Sequence, residues 1–287
     1  MKNHLSLSAI VIILFLGLNV CTTKKDTPVD MNNLFAWCIV PFDNQHRTPA
    51  ARIEMLKSLG FTSYAYDWRH EHLSEMATEF QLAKENNIHI EAVWMWIDVA
   101  DTVGKLSPDN EQVLQIMNDS GIQTQLWIGM SEAYFDGLSD DSCMAKAEAM
   151  IRYLSRRAAP SGGKIGLYNH GGWFGDPVNE VRLINAIPDQ NLGIIFNFHH
   201  AHELLDAYPE LVDTMMPYLW AVNLDGMRVE GPKILPIGAG DKEREMIRIL
   251  KEKGFKGPYG ILGHTEDADV KVILQGNLEG LKKIRSE

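Results

Sequence analysis

The sequence predicts an α/β protein, a single (β/α)8 barrel preceded by a lipoprotein signal peptide. Eight short apolar runs alternate with eight helical segments, and the runs are nearly continuous in apolar residues, as in parallel strands covered on both faces. The 287 residues, 45% of them hydrophobic, suit one such barrel. The alternative, an open doubly wound sheet, usually has a glycine-rich loop after its first strand, and segment 41–46 contains no glycine.

The predicted elements follow one another as a repeated strand and helix unit. The strands are Leu34–Val40, Ser63–Tyr66, His89–Trp96, Gln123–Ile128, Lys164–Asn169, Leu192–Phe198, Leu219–Leu224 and Pro258–Leu262. The first helix opens at Thr48-Pro49 and closes at Gly60, which combines a cap, a first-turn proline and a C-terminal glycine. The later helices lie near 72–87, 107–120, 140–158, 176–187, 203–216, 241–253 and 266–284.

The N-terminal segment predicts export. Lys2 precedes an apolar run, Ile10–Leu18, which is shorter than the roughly 20 residues that span a bilayer. Cys21 follows this run and precedes polar residues, which resembles the lipobox of bacterial lipoproteins, with Val20 where a small residue is usual. We predict a signal peptide over 1–20, a lipidated Cys21 and tether over 21–33, and the barrel domain over 34–287. The protein would belong to the bacterial cell envelope, facing the periplasm or on the surface, with the lipid anchor as its only membrane contact; plain secretion is the alternative.

The net charge bears on nucleic-acid binding, and the cysteine content bears on disulfide bonds. The formal net charge is −11, which disfavours nucleic acid as a partner because polyphosphate is repelled. Cys38 lies in a predicted strand and Cys143 in a predicted helix. We expect these two to be buried thiols rather than parts of a disulfide framework.

Every histidine other than His4 and His89 lies just after the C-terminal end of a predicted strand. Active sites of (β/α)8 barrels lie at that end. Acidic, basic and amide side chains share the same level: Asp43, Asp67, Arg69, Asp98, Asn169, Asn197, Asn223 and Asp225. Tryptophans also lie there: Trp37, Trp68, Trp94, Trp96, Trp127 and Trp173. Each residue alone could be structural, but the combination suits a sugar, whose apolar faces stack on aromatic rings and whose hydroxyls need donors and acceptors.

Two strand ends carry a resemblance to a known family. Segment 164–172 reads Lys-Ile-Gly-Leu-Tyr-Asn-His-Gly-Gly, and segment 196–202 reads Phe-Asn-Phe-His-His-Ala-His. They resemble the fifth and sixth strands of the xylose-isomerase-like TIM barrels, the superfamily of sugar isomerases, epimerases and apurinic endonucleases. Asn197 stands at the Asp of the family's Asp-x-x-His signature, and His200 stands at its His.

The resemblance implies a divalent ion held by Glu, Asp, His and Glu from strands 5 to 8. The matching positions here are Tyr168, Asn197, Asn223 and Gly263 or His264. Because a hard ion needs carboxylate ligands, we expect this inherited site to be absent, and no cofactor is predicted. The open alternative is a divalent metal bound by imidazoles. Its candidate ligands are His170, His199 or His200, and His264.

The leading functional hypothesis is an exported carbohydrate-active enzyme that transfers a proton next to a sugar carbonyl, as an isomerase, an epimerase or a keto-glycoside lyase. This chemistry needs a base near neutral pH and a donor for the enediolate. The candidate catalytic residues are His170, His200, His264 and Asp67. The candidate substrate-binding residues are Asn169, Asn197, His199, Asn223, Trp68 and Trp173.

The alternatives concern both the activity and the ligand. A non-catalytic carbohydrate-binding lipoprotein on a degenerate isomerase barrel would explain the missing metal ligands. Nucleic-acid repair fits the superfamily but neither the charge nor the export signal. Only Arg69 and Arg228 are basic near the predicted mouth, so we expect a small neutral or uronic sugar rather than a sugar phosphate.

Overall fold

The computed structural model describes residues 29–286, which form a closed barrel of eight parallel strands in sequence order. The strands are β1 Leu34–Trp37, β2 Ser63–Tyr66, β3 His89–Ile97, β4 Gln125–Met130, β5 Lys164–Tyr168, β6 Leu192–Asn197, β7 Leu219–Leu224 and β8 Tyr259–Leu262. The helices are α1 Pro49–Leu59, α2 Leu73–Glu85, α3 Pro108–Ser120, α4 Asp140–Arg157, α5 Pro177–Ala186, α6 Tyr208–Met215, α7 Glu243–Glu252 and α8 Val270–Ser286. The predicted (β/α)8 fold is confirmed.

Helix starts follow the local signals in the sequence. The side chains of Thr48, Ser107 and Asp176 each accept a hydrogen bond from a backbone N–H of the first turn, and a proline follows each cap. The largest boundary difference is in α6, which begins at Tyr208 because short 3-10 turns occupy 198–204. β1 ends at Trp37, since Cys38 adopts a left-handed backbone conformation with φ 57°.

The barrel interior alternates glycine with large side chains. A Cβ at Gly166 would lie 2.6 Å from the Trp127 ring and 2.7 Å from Ile195, so only glycine leaves room for them. A Cβ at Gly260 would similarly meet Phe35 at 2.7 Å. The barrel interior is therefore filled at these two positions, and in this fold the C-terminal end of the strands is where a ligand is expected.

The N-terminal part of the described chain packs against the barrel. Val29 is buried in the core, and Met31 packs against it. The Asn33 carbonyl accepts a hydrogen bond from the backbone N–H of Tyr259. The described residues that precede β1 therefore lie against the barrel. The predicted signal peptide and the lipidation site Cys21 lie outside the described residues.

No helix within residues 29–286 is long and apolar enough to cross a membrane. The thiols of Cys38 and Cys143 are buried and unpaired, as expected.

Candidate active site

A cavity of about 110 Å³ opens at the C-terminal mouth of the barrel. It is lined by Trp37, Cys38, Phe42, Asp67, Arg69, Trp94, Tyr168, His170, Asn197, His199, His200, Leu262 and His264. Most of these residues follow or end one of five strands, so closure of the barrel collects them at one level. All four candidate catalytic residues, His170, His200, His264 and Asp67, line it.

The floor of the cavity is a hydrogen-bonded network around the Tyr168 hydroxyl. Trp37 Nε1 donates to this hydroxyl at 2.8 Å, and the Asn197 side-chain amide donates to it at 2.5 Å. The Asn223 amide lies 3.3 Å from the same oxygen. Burial raises the pKa of Tyr168 well above its usual value, so the phenol stays neutral.

This network occupies the positions where the family resemblance implies a divalent ion. Tyr168, Asn197 and Asn223 present a neutral phenol and two amides that already bind one another. A hard divalent cation prefers anionic oxygen ligands, so these residues do not fit it. Within residues 29–286, no group of three or more His, Cys, Asp or Glu side chains is arranged to hold a metal ion.

Asp67 supplies a carboxyl group to the cavity wall just after β2. It is 2% exposed, and its Oδ1 accepts a hydrogen bond from the Val40 N–H at 3.3 Å. Its buried Oδ2 has no hydrogen-bond partner among the described residues. Burial raises the pKa of Asp67 to about 6, against the opposing charge of Arg69. The group is a stronger base than an ordinary carboxylate and is still ionised at neutral pH.

Four imidazoles form a continuous row along the cavity. The ring centroids are 4.3 Å apart for His170 and His200, 4.5 Å for His200 and His199, and 5.4 Å for His199 and His264. His199 Nδ1 bonds the Lys233 carbonyl oxygen at 2.8 Å, which fixes that ring. No hydrogen bond within residues 29–286 engages a ring nitrogen of His200, so both nitrogens are free for a ligand.

The row is uncharged near neutral pH. Burial lowers the pKa of His200 to about 2 and that of His199 to about 4, and the positive charge of neighbouring imidazoles acts in the same direction. Burial also lowers the pKa of His170 and His264. A neutral imidazole has one nitrogen that accepts a hydrogen bond and one N–H that donates, so it can assist proton transfer in either role.

The aromatic surface of the cavity comes from Trp37, Trp94 and Phe42. Trp94 packs edge to face on Tyr168, with centroids 4.8 Å apart. Phe42 lies against the His264 ring at 3.6 Å. The Arg69 guanidinium lies 5.4 Å from the Phe42 centroid at the exposed rim, where it can meet a ligand carboxylate.

Of the predicted substrate-binding residues, Asn197 and His199 line the cavity, and the other four lie outside its lining. The Asn169 side-chain amide donates to the Asn197 carbonyl at 3.1 Å and accepts from the Asn197 N–H at 2.7 Å, so it joins the ends of β5 and β6. Asn223 lies beneath the cavity in the Tyr168 network.

The two predicted stacking tryptophans also lie outside the cavity lining. Trp68 Nε1 donates to the Trp94 carbonyl oxygen at 2.6 Å, and Trp173 Nε1 donates to Asp140 at 2.8 Å. Trp68 is therefore tied to β3 and Trp173 to the start of α4, and neither ring lines the cavity. The tryptophan rings that face the cavity are those of Trp37 and Trp94 instead.

The sequence pattern did not single out Cys38 or Lys233 as members of the site. Cys38 lines the cavity because its left-handed backbone turns the chain at the end of β1. The charge of Lys233, from the loop after β7, lowers the pKa of His170 and His200. A tertiary contact brings this loop to the mouth, and no local signal in the sequence indicates it.

Comparison with known proteins supports the same architecture. A family model described as xylose isomerase-like TIM barrel matches residues 53–284. No curated protein matches the sequence. Similar solved structures include the 3-keto-D-glucoside 4-epimerase of E. coli, which is 15% identical with a TM-score of 0.62, over 89% of this chain and 99% of that chain.

Two further solved structures have a similar fold. The probable 3-DHS dehydratase of petrobactin synthesis from Bacillus anthracis is 13% identical with a TM-score of 0.62, over 86% of this chain and 98% of that chain. The D-allulose 3-epimerase from Methylomonas sp. is 13% identical with a TM-score of 0.63, over 88% of this chain and 97% of that chain. At these identities the likeness concerns the fold.

Proposed function

The chain belongs to the xylose isomerase-like TIM barrel family, and from that premise we propose that it is a carbohydrate-active enzyme that transfers a proton next to the carbonyl of a sugar. The observation that carries the proposal is one cavity containing both a buried carboxyl with a free oxygen, Asp67, and an uncharged imidazole with free nitrogens, His200. The substrate class is a keto-sugar or keto-glycoside. The reaction is an isomerisation, an epimerisation or a β-elimination.

Asp67 is proposed as the base. Its ionised carboxylate takes the proton from the carbon beside the carbonyl, through the Oδ2 that has no other partner in the described chain. The electron pair of the broken C–H bond moves to the carbonyl oxygen and forms an enediolate. A pKa of about 6 suits this step, because the group is ionised at neutral pH and binds a proton more strongly than an exposed carboxylate.

His200 is proposed as the donor that stabilises the enediolate. Its lowered pKa keeps the ring neutral, so an N–H group can donate to the developing negative charge without bringing a competing positive charge. Asp67 releases the proton it has taken to solvent, and His170, whose ring lies 4.3 Å from that of His200, takes up a solvent proton and passes it to the intermediate. Return to the opposite face gives an epimer, return at the neighbouring carbon gives an isomer, and loss of a β substituent gives the elimination product.

The remaining walls position the sugar. Trp37 and Trp94 offer aromatic rings for its apolar face. Arg69 at the rim favours a neutral or uronic sugar, since no basic cluster lines this cavity for a phosphate. The Tyr168 network supports these groups from below through hydrogen bonds to Trp37 and Asn197.

Solvent deuterium exchange tests the proposal even when the product has not been identified. The protein is incubated in D2O with a panel of 2-ketohexoses, 3-keto-glucosides and keto-uronates, and loss of the proton signal beside the carbonyl is followed by NMR. We expect exchange with at least one class, and a loss of about 100-fold or more in Asp67→Asn and His200→Asn. His89→Asn is the matched control, because His89 is exposed at the opposite end of β3.

Wild-type exchange rates in both Asp67→Asn and His200→Asn would refute the assigned roles. Saturable binding of a keto-sugar with no exchange would instead favour the alternative of a carbohydrate-binding protein. The observation that supports this alternative is the Tyr168 network, because it fills the position at which the family resemblance implies a metal ion.

We also propose that the protein is a lipoprotein of the bacterial envelope, anchored at Cys21. The support is the N-terminal sequence, in which an apolar run ends at Cys21 and a polar segment follows. Metabolic labelling with a tagged fatty acid should mark the wild-type protein and not Cys21→Ser. Equal labelling of both forms would refute the anchor, and Cys143→Ser serves as the control.

A further inference from the structure

A second cavity lies beside the first one at the barrel mouth. It encloses about 100 Å³ between the end of β8, the start of α8 and the loop after β7. Leu262 and His264 line both cavities. The imidazole of His264 is therefore part of the wall between them, with Phe42 against it at a centroid distance of 3.6 Å.

The second cavity is mostly apolar and contains one unused buried polar group. Its walls include Leu235 from the loop and Ile273 from α8. Asp225 also lines it, is 1% exposed, and has an Oδ2 with no hydrogen-bond partner among the described residues. Both polar atoms of the Asn277 side chain already have a partner, because the amide donates to the Leu262 carbonyl at 2.7 Å and its oxygen accepts from the Ile237 N–H at 2.9 Å.

The loop after β7, which forms one wall of this cavity, is held in place by Glu243. Glu243 accepts hydrogen bonds from the backbone N–H groups of Met227, Gly238 and Gly240, at 2.9 to 3.0 Å. The loop after β7 is thereby tied to the start of α7. A cavity bounded by an anchored loop, with one carboxyl oxygen of a lining residue left unpaired, has the features of a built binding site.

We propose that the second cavity is a subsite for an apolar group attached to the sugar, and that Asp225 donates a hydrogen bond to an oxygen of that group or of its linkage. This inference rests on the proposed function and extends it, because it names a keto-glycoside with an apolar aglycone as the preferred substrate class. The sugar occupies the first cavity, and the aglycone passes His264 into the second one.

The protonation state of Asp225 agrees with a donor role. Burial raises its pKa to about 8, with the nearby charge of Glu243 acting in the same direction. The carboxyl therefore carries a proton near neutral pH and complements an acceptor oxygen in an otherwise apolar space.

Gly276 allows the cavity to be filled without touching the proposed catalytic groups. It lies on α8, lines the second cavity, and a Cβ added there meets nothing within 4 Å. Because Gly276 is an exposed member of the lining, Gly276→Phe should obstruct the cavity at its open edge, and Gly276→Ala is the matched control that leaves most of it open. Asp225→Asn keeps a donor at the same place, whereas Asp225→Leu removes it.

The test measures the affinity of the protein for methyl and n-butyl 3-keto-glucosides by NMR titration. The indole N–H signals of Trp37 and Trp94 report binding in the first cavity, and the Gly276 amide signal reports binding in the second. We expect the butyl glycoside to bind at least about tenfold more tightly, because additional methylene groups are buried. Gly276→Phe should remove this preference, and Gly276→Ala should retain it. Asp225→Leu should lower the affinity for both glycosides several-fold, which corresponds to the loss of about one hydrogen bond. Asp225→Asn should leave the affinity unchanged.

Equal affinity for the two glycosides, or a butyl preference that survives Gly276→Phe, overturns the second subsite. If neither glycoside moves the indole signals, the proposed function fails for 3-keto-glucosides, and n-butanol alone then tests the subsite. In the wild type, movement of the Gly276 amide signal on addition of n-butanol supports the subsite, and no movement overturns it. In Gly276→Phe the Leu235 amide signal is followed instead, and n-butanol should not move it.

Discussion

The imidazole rings of His170 and His200 lie 4.3 Å apart, one from the end of β5 and the other from the end of β6. At this separation two charged rings would repel each other strongly, and the pKa values of both are lowered. Asp67 lines the same cavity with a pKa raised to about 6. The site therefore pairs an ionised carboxylate with neutral imidazoles near pH 7, and this pairing sets the pH dependence expected of the enzyme.

The exchange rate should rise with pH and level off above about pH 6. Proton abstraction by Asp67 needs the carboxylate, and protonation removes it as the pH falls through its pKa of about 6. The histidines do not limit the rate on the acidic side, because His199 and His200 stay neutral down to about pH 4. The measurement is kcat/KM for deuterium exchange between pH 4.5 and 8.5. A rate that falls as the pH rises through 6 would contradict the role of Asp67 as base.

The histidine row should lower the stability of the folded protein as the pH falls below about 6.5, whereas the raised pKa values of Asp67 and Asp225 act in the opposite direction. The unfolded chain binds protons on these histidines near the ordinary pKa of about 6.5, whereas folded His200 does so only near 2. Unfolding is therefore favoured as the pH falls, and His200 alone should cost about 1 kcal/mol between pH 6.5 and 5, allowing for its partial exposure. Urea unfolding at the two pH values measures this.

Replacement of His200 by Gln should reduce the loss of stability on acidification. His89→Gln is the control, since His89 is exposed at the far end of the barrel and should leave the acid dependence as in the wild type. An identical acid dependence in wild type and His200→Gln would show that this ring is not held neutral by the fold.

Tyr168→Phe should destabilise the protein by about 2 to 3 kcal/mol. The change removes the oxygen that accepts from Trp37 and Asn197, and it leaves those buried N–H groups without a partner. Tyr66→Phe is the matched control, because the Tyr66 hydroxyl is buried with no hydrogen-bond partner among the described residues and its removal should be neutral or stabilising. Denaturant unfolding of the two variants measures the difference. Equal effects would mean that the Tyr168 network contributes no stability.

Treatment with a chelator should leave deuterium exchange unchanged within about twofold. The reason is that Tyr168, Asn197 and Asn223 bind one another at the position where the family resemblance implies an ion, and the proposed step uses only Asp67 and His200. Elemental analysis of the purified protein, before and after dialysis against EDTA, gives the metal content for comparison with the rate. Loss of activity on dialysis, restored by one added divalent metal, would instead support the imidazole-bound ion that the sequence left open.

Much of the barrel was predictable from the sequence because the relevant signals are local. The apolar run Leu192–Asn197 forms β6, and Thr48-Pro49 caps α1 through hydrogen bonds within one turn. The gathering of His170, His200 and His264 at one end of the barrel was predictable too, since each residue follows a strand and all eight strands are parallel.

The partners of individual side chains were not predictable in this way. Trp37 and Trp94 lie within β1 and β3 and line the cavity. Trp68 and Trp173 follow β2 and β5, but their indole groups donate to the Trp94 carbonyl and to Asp140, and neither residue lines the cavity. Whether a strand-end residue points into the barrel depends on the pleat and on the path of its loop. A sequence pattern does not contain that path.

The sequence by itself determined the order and type of the elements, the mouth as the location of the site, and the absence of carboxylates at Tyr168 and Asn197. These follow from apolar periodicity, capping residues and residue identity. Only the tertiary structure decided that Tyr168 joins Trp37, Asn197 and Asn223 in one network. It also decided that Asp67 and Asp225, which line separate cavities, each retain a buried oxygen without a hydrogen-bond partner among the described residues. The physical reason is that barrel closure brings together side chains far apart in the chain, and their burial, which sets their pKa values, exists only once the barrel has closed.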